Sequence, residues 1–233
     1  MKIAVLSDIH GNIDALRAVS NDMKTECIEK VFALGDYLGY YYEALDVFEE
    51  LKKWNAVMIS GNHEQIFLSF LSKNDNFRNN VVKKYGAGYL KYEKDFSSEL
   101  VQEITELPLK KEVDVDGVSF LLCHGSPKQY DEYIYPNATP NRLEAFAKEE
   151  YDFVFVGHTH YPMVYQGKKG LLINVGSVGQ SRVRGGIANW GIVDTNNHVY
   201  IPKQTPYDVT KLERRLKENN EREYIYKILR RNN

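Results

Sequence analysis

Residues 2–10 read KIAVLSDIH, an apolar run of strand length that ends at an aspartate, with a histidine two residues further on. A second apolar run follows at residues 30–34 and a third at residues 56–60. Between the first two runs, apolar residues recur at helical spacing: Ile13, Leu16, Val19 and Met23. Short apolar runs that alternate with amphipathic stretches are typical of a βαβ layer with parallel strands. The first third of the chain is therefore predicted to be such a layer.

The remainder of the chain divides into three stretches. Residues 66–108 are rich in Lys, Asn and Tyr, have no clear strand run, and are predicted to form an inserted helical cap. A hairpin at residues 112–123, which turns at Asp116-Gly117, opens a second sheet. Residues 208–231 are charged, with an uneven apolar stripe, and are predicted to form a C-terminal helix. We expect one domain over residues 1–233, of the α/β class (α+β in some schemes): a two-sheet β-sandwich flanked by helices.

Composition excludes several kinds of protein. Apolar residues make up 43% and charged residues 27% of the 233-residue chain, which is ordinary globular usage. The net charge is −2, with acids and bases interspersed, so no basic surface is expected to attract a nucleic-acid polymer or an anionic membrane. No apolar run has membrane-spanning length. Cys27 and Cys123 are the only cysteines and lie far apart, so we expect a reducing, cytoplasmic location.

The six histidines are the most informative residues. Five of them fall in Gly- or Asp-bearing turns directly after predicted strands, whereas His198 follows two asparagines and is predicted to be a surface residue. Because residues two apart share a face of an extended chain, Asp8 and His10 are predicted to point to the same side. Glycine lets the backbone turn sharply at the other strand ends. The turns in question are Asp8-x-His10, Gly35-Asp36, Gly61-Asn62-His63-Glu64, His124-Gly125 and Gly157-His158-Thr159-His160.

Where these turns converge, they would form a pocket rich in carboxylates and imidazoles. Such a pocket predicts bound metal. Carboxylate, amide and imidazole donors without thiolate suit Mn²⁺, Fe, Zn²⁺, Co²⁺ or Ni²⁺. Seven donors exceed what one ion needs, so two divalent ions ~3.5–4 Å apart with a bridging carboxylate are expected. Two cations polarise a phosphoryl oxygen and lower the pKa of a bridging water, which makes hydroxide available near neutral pH. The pattern therefore predicts metal-dependent hydrolysis of phosphoesters.

These blocks, in this order, resemble the signature motifs of the calcineurin-like metallophosphoesterases. The resemblance implies two ligand sets that share Asp36. One ion would be held by Asp8, His10, Asp36 and His160, and the other by Asp36, Asn62, His124 and His158. It further implies that Asn62 and His63 act in catalysis, and that His63, which is not a ligand, contacts the phosphate or protonates the leaving oxygen.

Departures from the family's motifs indicate which branch of the calcineurin-like family the chain resembles. The protein serine/threonine phosphatases have Asp-Arg-Gly in their second block, whereas this chain has Gly35-Asp36-Tyr37. The acid that pairs with their catalytic histidine and the arginine that clamps their phosphate are thus missing. Gly39 stands where purple acid phosphatases have a ligand tyrosine. The chain is more similar to the small bacterial and archaeal phosphodiesterases, which share blocks like residues 174–180, and this similarity covers most of the chain except the cap and the tail.

We therefore expect an enzyme that hydrolyses small phosphodiesters or nucleotide polyphosphates with Mn²⁺ as the first choice of metal. A phosphomonoesterase that acts on proteins or small molecules is the nearest alternative. A non-catalytic scaffold with a retained metal site is the second, although such relatives typically lose a ligand or the equivalent of His63. A nuclease acting on polymers is disfavoured by the absent basic groove. The C-terminal helix is expected to pack on the body or on a second copy of the chain.

Two further groups of residues have open interpretations. Arg182 and Arg184 could clamp a substrate phosphate with their planar guanidinium groups, or could belong to a solvated loop. The tyrosines close to the predicted metal ligands could stack a nucleobase, or could fill the space between body and cap. They are Tyr37, Tyr40, Tyr41, Tyr42, Tyr130, Tyr133 and Tyr135.

Overall fold

A computed structural model describes residues 1–148 and 150–232, and two mixed five-stranded sheets form its centre. The strands are β1 (Lys2–Leu6), β2 (Lys30–Ala33), β3 (Val57–Met58), β4 (Lys110–Val115), β5 (Val118–Cys123), β6 (Phe153–Val156), β7 (Met163–Gln166), β8 (Leu171–Asn174), β9 (Ile187–Asp194) and β10 (Val199–Pro206). The first sheet has the order β10-β9-β1-β2-β3 and the second the order β4-β5-β6-β8-β7. In the first, β1, β2 and β3 are parallel, while β9 and β10 are antiparallel additions at one side.

Helices lie outside the sheets. They are α1 (Ile13–Thr25), α2 (Ala44–Lys53), α3 (Asn62–Ser72), α4 (Asp75–Tyr85), α5 (Gly88–Asp95), α6 (Ser98–Glu106), α7 (Pro140–Glu144), α8 (Thr210–Glu218) and α9 (Glu223–Lys227), followed by a 3-10 turn (Ile228–Arg230). The described part of the chain contains no helix that is both long and apolar enough to cross a membrane.

The two faces of β1 explain the layering. Ile3 and Val5 point into the space between the sheets, where Phe32 of β2 contacts Phe120 of β5 with ring centroids 5.3 Å apart. Ala4 and Leu6, on the opposite face, join a second apolar core beneath α1 and α2. A strand that is buried on both faces must be apolar at every position, as residues 3–6 are. Strand β1 is therefore at the centre of its sheet, and the carboxyl ends of β1, β2 and β3 lie at the same edge of that sheet.

The second sheet is layered in the same way. Phe153 and Phe155 of β6 face the other sheet, whereas Val154 and Val156 face outward and pack with Leu143 of α7. The architecture is thus helix, sheet, sheet, helix, and the predicted two-sheet sandwich flanked by helices is confirmed. Strand β3 spans two residues rather than the predicted five and forms the edge of its sheet.

The helical region begins earlier than the sequence indicates. Helix α3 starts at Asn62, not near residue 66, so Asn62 and His63 lie in the first turn of a helix rather than in an irregular turn. The carboxylate of Glu64 accepts a hydrogen bond from the backbone N–H of Gly61, an interaction that marks a helix amino terminus. Helices α3 to α6 follow one another directly, and α6 begins where the Ser97 side chain accepts from Leu100 N.

The tail is not the single helix predicted over residues 208–231. It forms α8, α9 and a 3-10 turn, separated by residues 219–222. Asn220 has φ 53°, the left-handed conformation that commonly ends a helix. In the loop, one carboxylate oxygen of Glu221 accepts from both Tyr42 Oη and Ala87 N, each at 2.7 Å. The break thus lets the tail hold the loop after β2 and the start of α5 together.

Candidate metal centre

The predicted ligands lie just beyond the carboxyl ends of β1, β2, β5 and β6 and at the start of α3. All except Asn62 are at most 9% exposed. The expectation that Asp8 and His10 share a face of an extended strand is wrong, because β1 ends at Leu6. Left-handed backbone, with φ between 54° and 64°, instead aims these side chains, at about 1–3 kcal/mol per residue. The residues in this conformation are Asp8, His10, Asp36, His158 and His160.

Two glycines in the motifs are required by close contacts. A Cβ on Gly61 would lie 2.3 Å from Asp36 Oδ1, and one on Gly157 would lie 2.1 Å from Ser7 Oγ and 2.6 Å from Asp8 Oδ2. Any larger residue would displace the carboxylate beside it. The glycines therefore serve less to turn the chain than to let a second loop approach each aspartate.

One group of donors consists of Asp8, His10 and His160, whose ligand atoms lie within 4.8 Å of one another. Asp8 Oδ1 is 3.2 Å from His160 Nε2 and 3.8 Å from His10 Nε2. The other oxygen, Oδ2, accepts hydrogen bonds from Ser7 Oγ and from the backbone N–H of His158. One carboxylate oxygen is thus anchored, and the other faces the imidazoles.

A second group consists of Asp36, His124 and His158. Asp36 Oδ2 is 3.2 Å from His124 Nε2 and 3.9 Å from His10 Nε2, so this oxygen lies between the two groups. Asn62 Oδ1 is 3.1 Å from His124 Nε2. All seven predicted ligands are therefore brought together, and Asp36 has the intermediate position that a bridging carboxylate needs.

The ring nitrogens of three histidines are fixed by backbone carbonyls. Nδ1 of His10 lies 2.8 Å from Leu38 O, Nδ1 of His124 lies 2.7 Å from Leu34 O, and Nδ1 of His160 lies 2.8 Å from Gln180 O. A carbonyl only accepts, so each Nδ1 carries a hydrogen, and Nε2 is the ring nitrogen that each of these histidines can offer to a cation.

These nitrogens test whether the site fits a cation. Nε2 of His10 and Nε2 of His160 are 3.0 Å apart, so the two atoms must share either a hydrogen or a bound cation. Within the described part of the chain, the buried Asp8 Oδ1 has no hydrogen-bond donor, which is costly for an ionised oxygen. Both features are resolved by a bound metal ion, so the donors fit the metals expected for them.

The pKa shifts of the donors also bear on metal binding. Burial on its own would raise the pKa of Asp8, but the nearby His160 overcomes that effect and holds the pKa below its ordinary value. His124 does the same for Asp36. Burial lowers the pKa of His10 well below its ordinary value, and lowers that of His158 to about 4. The site therefore presents ionised carboxylates beside the neutral rings of His10 and His158. For His124, the effect of burial is outweighed by the charge of Asp36, which raises the pKa to about 10. Metal binding at Nε2 of His124 would displace that proton.

Glu64 belongs to the motif Gly61-Asn62-His63-Glu64, but the sequence does not indicate its role. Its carboxylate accepts four backbone hydrogen bonds: Oε2 from Asp36 N and Gly61 N, and Oε1 from Tyr37 N and Leu38 N. In return, Asp36 Oδ1 accepts from His63 N at 2.8 Å, in the place of the side chain that Gly61 lacks. Burial, together with the charge of Asp36, raises the pKa of Glu64 to about 7. A buried glutamate thus holds the loop that presents Asp36.

His63 lies beside the donors but in an aromatic setting. Its ring is 4.9 Å from that of His10, 4.7 Å from Tyr85 and 5.2 Å from Tyr40. Its Nδ1 is 2.6 Å from the hydroxyl of Tyr89 on α5. Burial lowers the pKa of His63 to about 4. Tyr89 gave no signal in the sequence, because it lies in a Tyr-rich helix with no motif around it.

A cavity of about 360 Å³ opens onto both groups of donors. Arg182 lines it, whereas the exposed Arg184 does not. Lys84, at the end of α4, is a second cation in its wall that the sequence did not suggest. A larger groove, about 620 Å³, lies beside β3 and shares no lining residue with this cavity.

The tyrosines divide between the two interpretations left open by the sequence. Tyr37, Tyr40, Tyr41 and Tyr42 are at most 8% exposed and fill space, although Tyr40 also reaches the cavity wall. Tyr133 and Tyr135 are 48% and 43% exposed, stack within 4° of parallel, and line the cavity.

The block at residues 174–180 supports the first loop. Ser177 Oγ donates to Asp8 O at 2.7 Å, and the backbone N–H of Gly179 donates to the same carbonyl. Asn174 Nδ2 donates to Gly157 O at 2.6 Å, so the block also holds the loop that carries His158 and His160. Its role is to fix two ligand loops relative to each other.

Comparison with known proteins agrees with this geometry. The sequence profile of the calcineurin-like phosphoesterase superfamily domain matches residues 1–198, which include both groups of donors. The chain therefore belongs to the calcineurin-like phosphoesterase superfamily. It is a metallophosphoesterase, a hydrolase of phosphoester bonds.

The chain is similar to proteins of its own length. An uncharacterized protein of Methanocaldococcus jannaschii is 32% identical over 241 residues, 96% of this chain and 95% of the relative. The crystal structure of a hypothetical protein from Pyrococcus horikoshii OT3 has a TM-score of 0.82 and 23% identity, and covers 100% of this chain and 98% of its own. That of a metallophosphoesterase from Sphaerobacter thermophilus has a TM-score of 0.79 and 24% identity, with 98% of each chain covered. Likeness of fold thus extends over the cap helices and the tail.

Proposed function

We propose that this protein hydrolyses small phosphodiesters or nucleotide polyphosphates with two bound divalent cations, Mn²⁺ being the first choice. One observation carries the proposal: Asp36 Oδ2 lies between His10 of the first group of donors and His124 of the second, at the floor of a cavity whose wall also includes Lys84 and Arg182. Asp8, His10 and His160 would hold one ion, and Asn62, His124 and His158 the other. When bound, such a pair of ions lowers the pKa of water and polarises the phosphoryl group.

The protein's own residues would position the substrate and exclude water. Arg182 and Lys84 line the cavity together with the donors and would bind phosphate oxygens. His63, on the first turn of α3, would contact the phosphoryl group from beside His10. Asn62, in the same turn, would connect the metal site to the substrate. Tyr40 and Tyr85 pack around the His63 ring and would keep bulk water from it.

Charge favours a diester or a phosphoanhydride over a phosphomonoester. A monoester dianion needs dense positive charge, and the Asp-Arg-Gly arginine of the protein phosphatases is replaced here by Tyr37. Tyr37 is fully buried, and its hydroxyl hydrogen-bonds to Ala33 O and Ile59 O, so it does not reach substrate. A substrate with one negative charge per phosphate matches the two cations of the wall better.

A second cavity supports a substrate with an aromatic group. It has a volume of about 370 Å³ and shares Asn62, Tyr85, Tyr133 and His158 with the first, so the two form one cleft. Its own walls include Ile66, Phe77 and Tyr130. Phosphate in the charged part and a nucleobase in the aromatic part would use the whole cleft.

The test is a screen of protein freed of metal and reloaded with Mn²⁺. We expect hydrolysis of bis(p-nitrophenyl) phosphate and of dinucleotide polyphosphates, with much slower hydrolysis of p-nitrophenyl phosphate. A preference for the monoester would overturn the proposed substrate class, and inactivity on all three compounds would overturn the function itself. Fe, Zn²⁺, Co²⁺ and Ni²⁺ are the other metals to load.

One variant distinguishes the proposed enzyme from a non-catalytic scaffold. His63→Ala should lower the rate of hydrolysis by about 10²–10⁴-fold and leave a measurable residual rate. If the protein acts as an enzyme, this variant should also lose the biological effect in cells, whereas a scaffold would keep it. A cytoplasmic location and association with a second copy stay predictions, to be checked by fractionation and by light scattering.

A further inference from the structure

The partner of Nδ1 divides the histidines of the site into two kinds. In His10, His124 and His160 the partner is a backbone carbonyl, which can only accept. In His63 it is the hydroxyl of Tyr89, which can also donate. A histidine whose Nδ1 accepts a hydrogen bond keeps its own hydrogen on Nε2. His63 is then a hydrogen-bond donor among rings that can offer Nε2 to a cation.

The surroundings of Tyr89 favour donation. Its side chain is fully buried, and within residues 1–148 and 150–232 the hydroxyl has one hydrogen-bond partner, His63 Nδ1. If Nδ1 carried the hydrogen, the Tyr89 O–H would be a buried donor with no acceptor, which is the costlier arrangement. Burial also raises the pKa of Tyr89 well above its ordinary value, so the phenol keeps its proton.

We infer that Tyr89 is a positioning residue that holds His63 in the Nε2–H form, so that Nε2 donates a hydrogen bond to an oxygen of the phosphoryl group. The inference rests on the proposed function for the nature of the substrate, but not for the Tyr89–His63 contact itself. No proton is transferred in this role. Of the two roles expected for His63, contact with the phosphate is therefore the one that Tyr89 supports.

Tyr89 belongs to a cap helix, so its contact with His63 connects the cap to the site. The acid that pairs with the catalytic histidine in the protein phosphatases is absent from this sequence. In this chain the partner of His63 Nδ1 is a phenol from α5. Tyr89 packs against Phe70 of α3 and Tyr92 of α5, with ring centroids 5.7 Å away in both cases. The cap helices thus set the orientation of a residue at the reaction centre.

The direct test is the tautomer of His63 in metal-free protein. Nitrogen-15 NMR of histidine-labelled protein, with His63→Gln to assign the signal, should place the ring hydrogen on Nε2. In Tyr89→Phe, which removes only the hydroxyl, the signal should change to a mixture of the two tautomers. A hydrogen on Nδ1 of the unaltered protein, with or without one on Nε2, would overturn the inference. This readout does not require hydrolysis, so it stands apart from failure of the proposed function.

Kinetics of the Mn²⁺-loaded enzyme supplies the second test. Tyr89→Phe should lower kcat about tenfold and leave KM nearly unchanged, because the hydrogen bond strengthens as charge develops on the phosphoryl group. In a His63→Ala background the same substitution should have no further effect. Tyr92→Phe is the matched control, since its buried hydroxyl on the same helix bonds to Tyr41 O and not to His63. Equal losses from Tyr89→Phe with and without His63 would contradict the inference.

Discussion

The ligand loops (residues 7–12, 35–39, 61–64, 124–126 and 157–160) and the cap–tail unit (α4, α5 and residues 207–232) both border the cavity, but different forces hold them in place. In the ligand loops, buried carboxylates accept backbone N–H groups at short range, as Glu64 does for the loop of Asp36. In the cap–tail unit, aromatic rings pack together, and a few side chains bind the end of α4. Arg222 donates to Lys83 O and Tyr224 to Lys84 O.

Because of this difference, we expect the ligand loops to determine whether the enzyme is active, and the cap–tail unit to influence its rate and its substrate. The backbones of the loops that carry Asp36, His63 and His158 donate hydrogen bonds to buried carboxylates within the site, so their geometry tolerates little change. The cap–tail unit contributes Lys84, Tyr85 and Tyr89 through contacts made more than 100 residues apart in sequence. Substitutions in the first region should therefore abolish activity, and substitutions in the second should change its rate or its substrate.

The largest effect is expected from Asp36→Asn. Loss of the shared negative charge should weaken binding of both ions and lower kcat/KM by about 10³-fold or more, which corresponds to several kcal/mol. Metal content and rate are measured together after reloading with Mn²⁺. Asp46→Asn, an exposed residue paired with Arg17, serves as the control. Two ions retained with ordinary activity would show that Asp36 is no bridge.

Glu64→Gln should come next. An amide can accept for only one of the two pairs of backbone donors, so two buried N–H groups lose their partner, at about 1–3 kcal/mol of unfolding free energy for each. Metal affinity should fall about 10–100-fold, as for other groups that orient ligands. Chemical denaturation and metal titration measure the two effects, with Glu103→Gln on the surface as the control. Unchanged metal affinity would mean that the loop of Asp36 is held by other contacts.

Arg182→Ala tests the cavity wall. Removal of a guanidinium that binds a phosphate oxygen should raise KM about tenfold and leave metal content intact. Arg184→Ala, two residues away and outside the cavity, should have the rate of the unaltered enzyme. If both variants behave alike, the loop is a solvated one and Arg182 does not clamp the substrate.

The smallest effect is expected from Glu221→Ala in the tail. Tyr42 Oη and Ala87 N would lose their shared acceptor, which lowers the free energy of unfolding by about 1–2 kcal/mol. As the cap–tail unit loosens, kcat/KM should fall roughly twofold to fivefold, a change of under about 1 kcal/mol. Glu223→Ala removes only an exposed pair with Lys227 and should do neither. A loss as large as that of Asp36→Asn would erase the distinction between the regions.

The floor of the site could be predicted because its chemistry is local. Donor residues stand within four positions of a strand end, and the order of parallel strands brings those ends to one edge, so Asp8, Asp36 and His124 point to one place. The predicted mechanism for Asp8 and His10 was nevertheless wrong. Left-handed backbone aims them, and for residues other than glycine the sequence signal of this conformation is weak, no more than an enrichment in Asn, Asp and His.

The cap–tail unit could be predicted only as helical. Its contacts join side chains far apart in sequence, such as Glu221 with Ala87 and Tyr89 with His63, and a single sequence gives no means of pairing them. Tyrosines add to the difficulty, since Tyr37 fills the core while Tyr133 lines the cavity with the same side chain. The start of α3 at Asn62 was missed for a related reason, because the cap of that helix is Asp36, which lies 27 residues away from His63.

The central claim is that two cations share Asp36. Anomalous scattering from crystals soaked in Mn²⁺ measures this directly. We predict two peaks, one among Asp8, His10 and His160 and one among Asn62, His124 and His158, with Asp36 between them. A single peak at saturating metal, or peaks away from these side chains, would contradict the account.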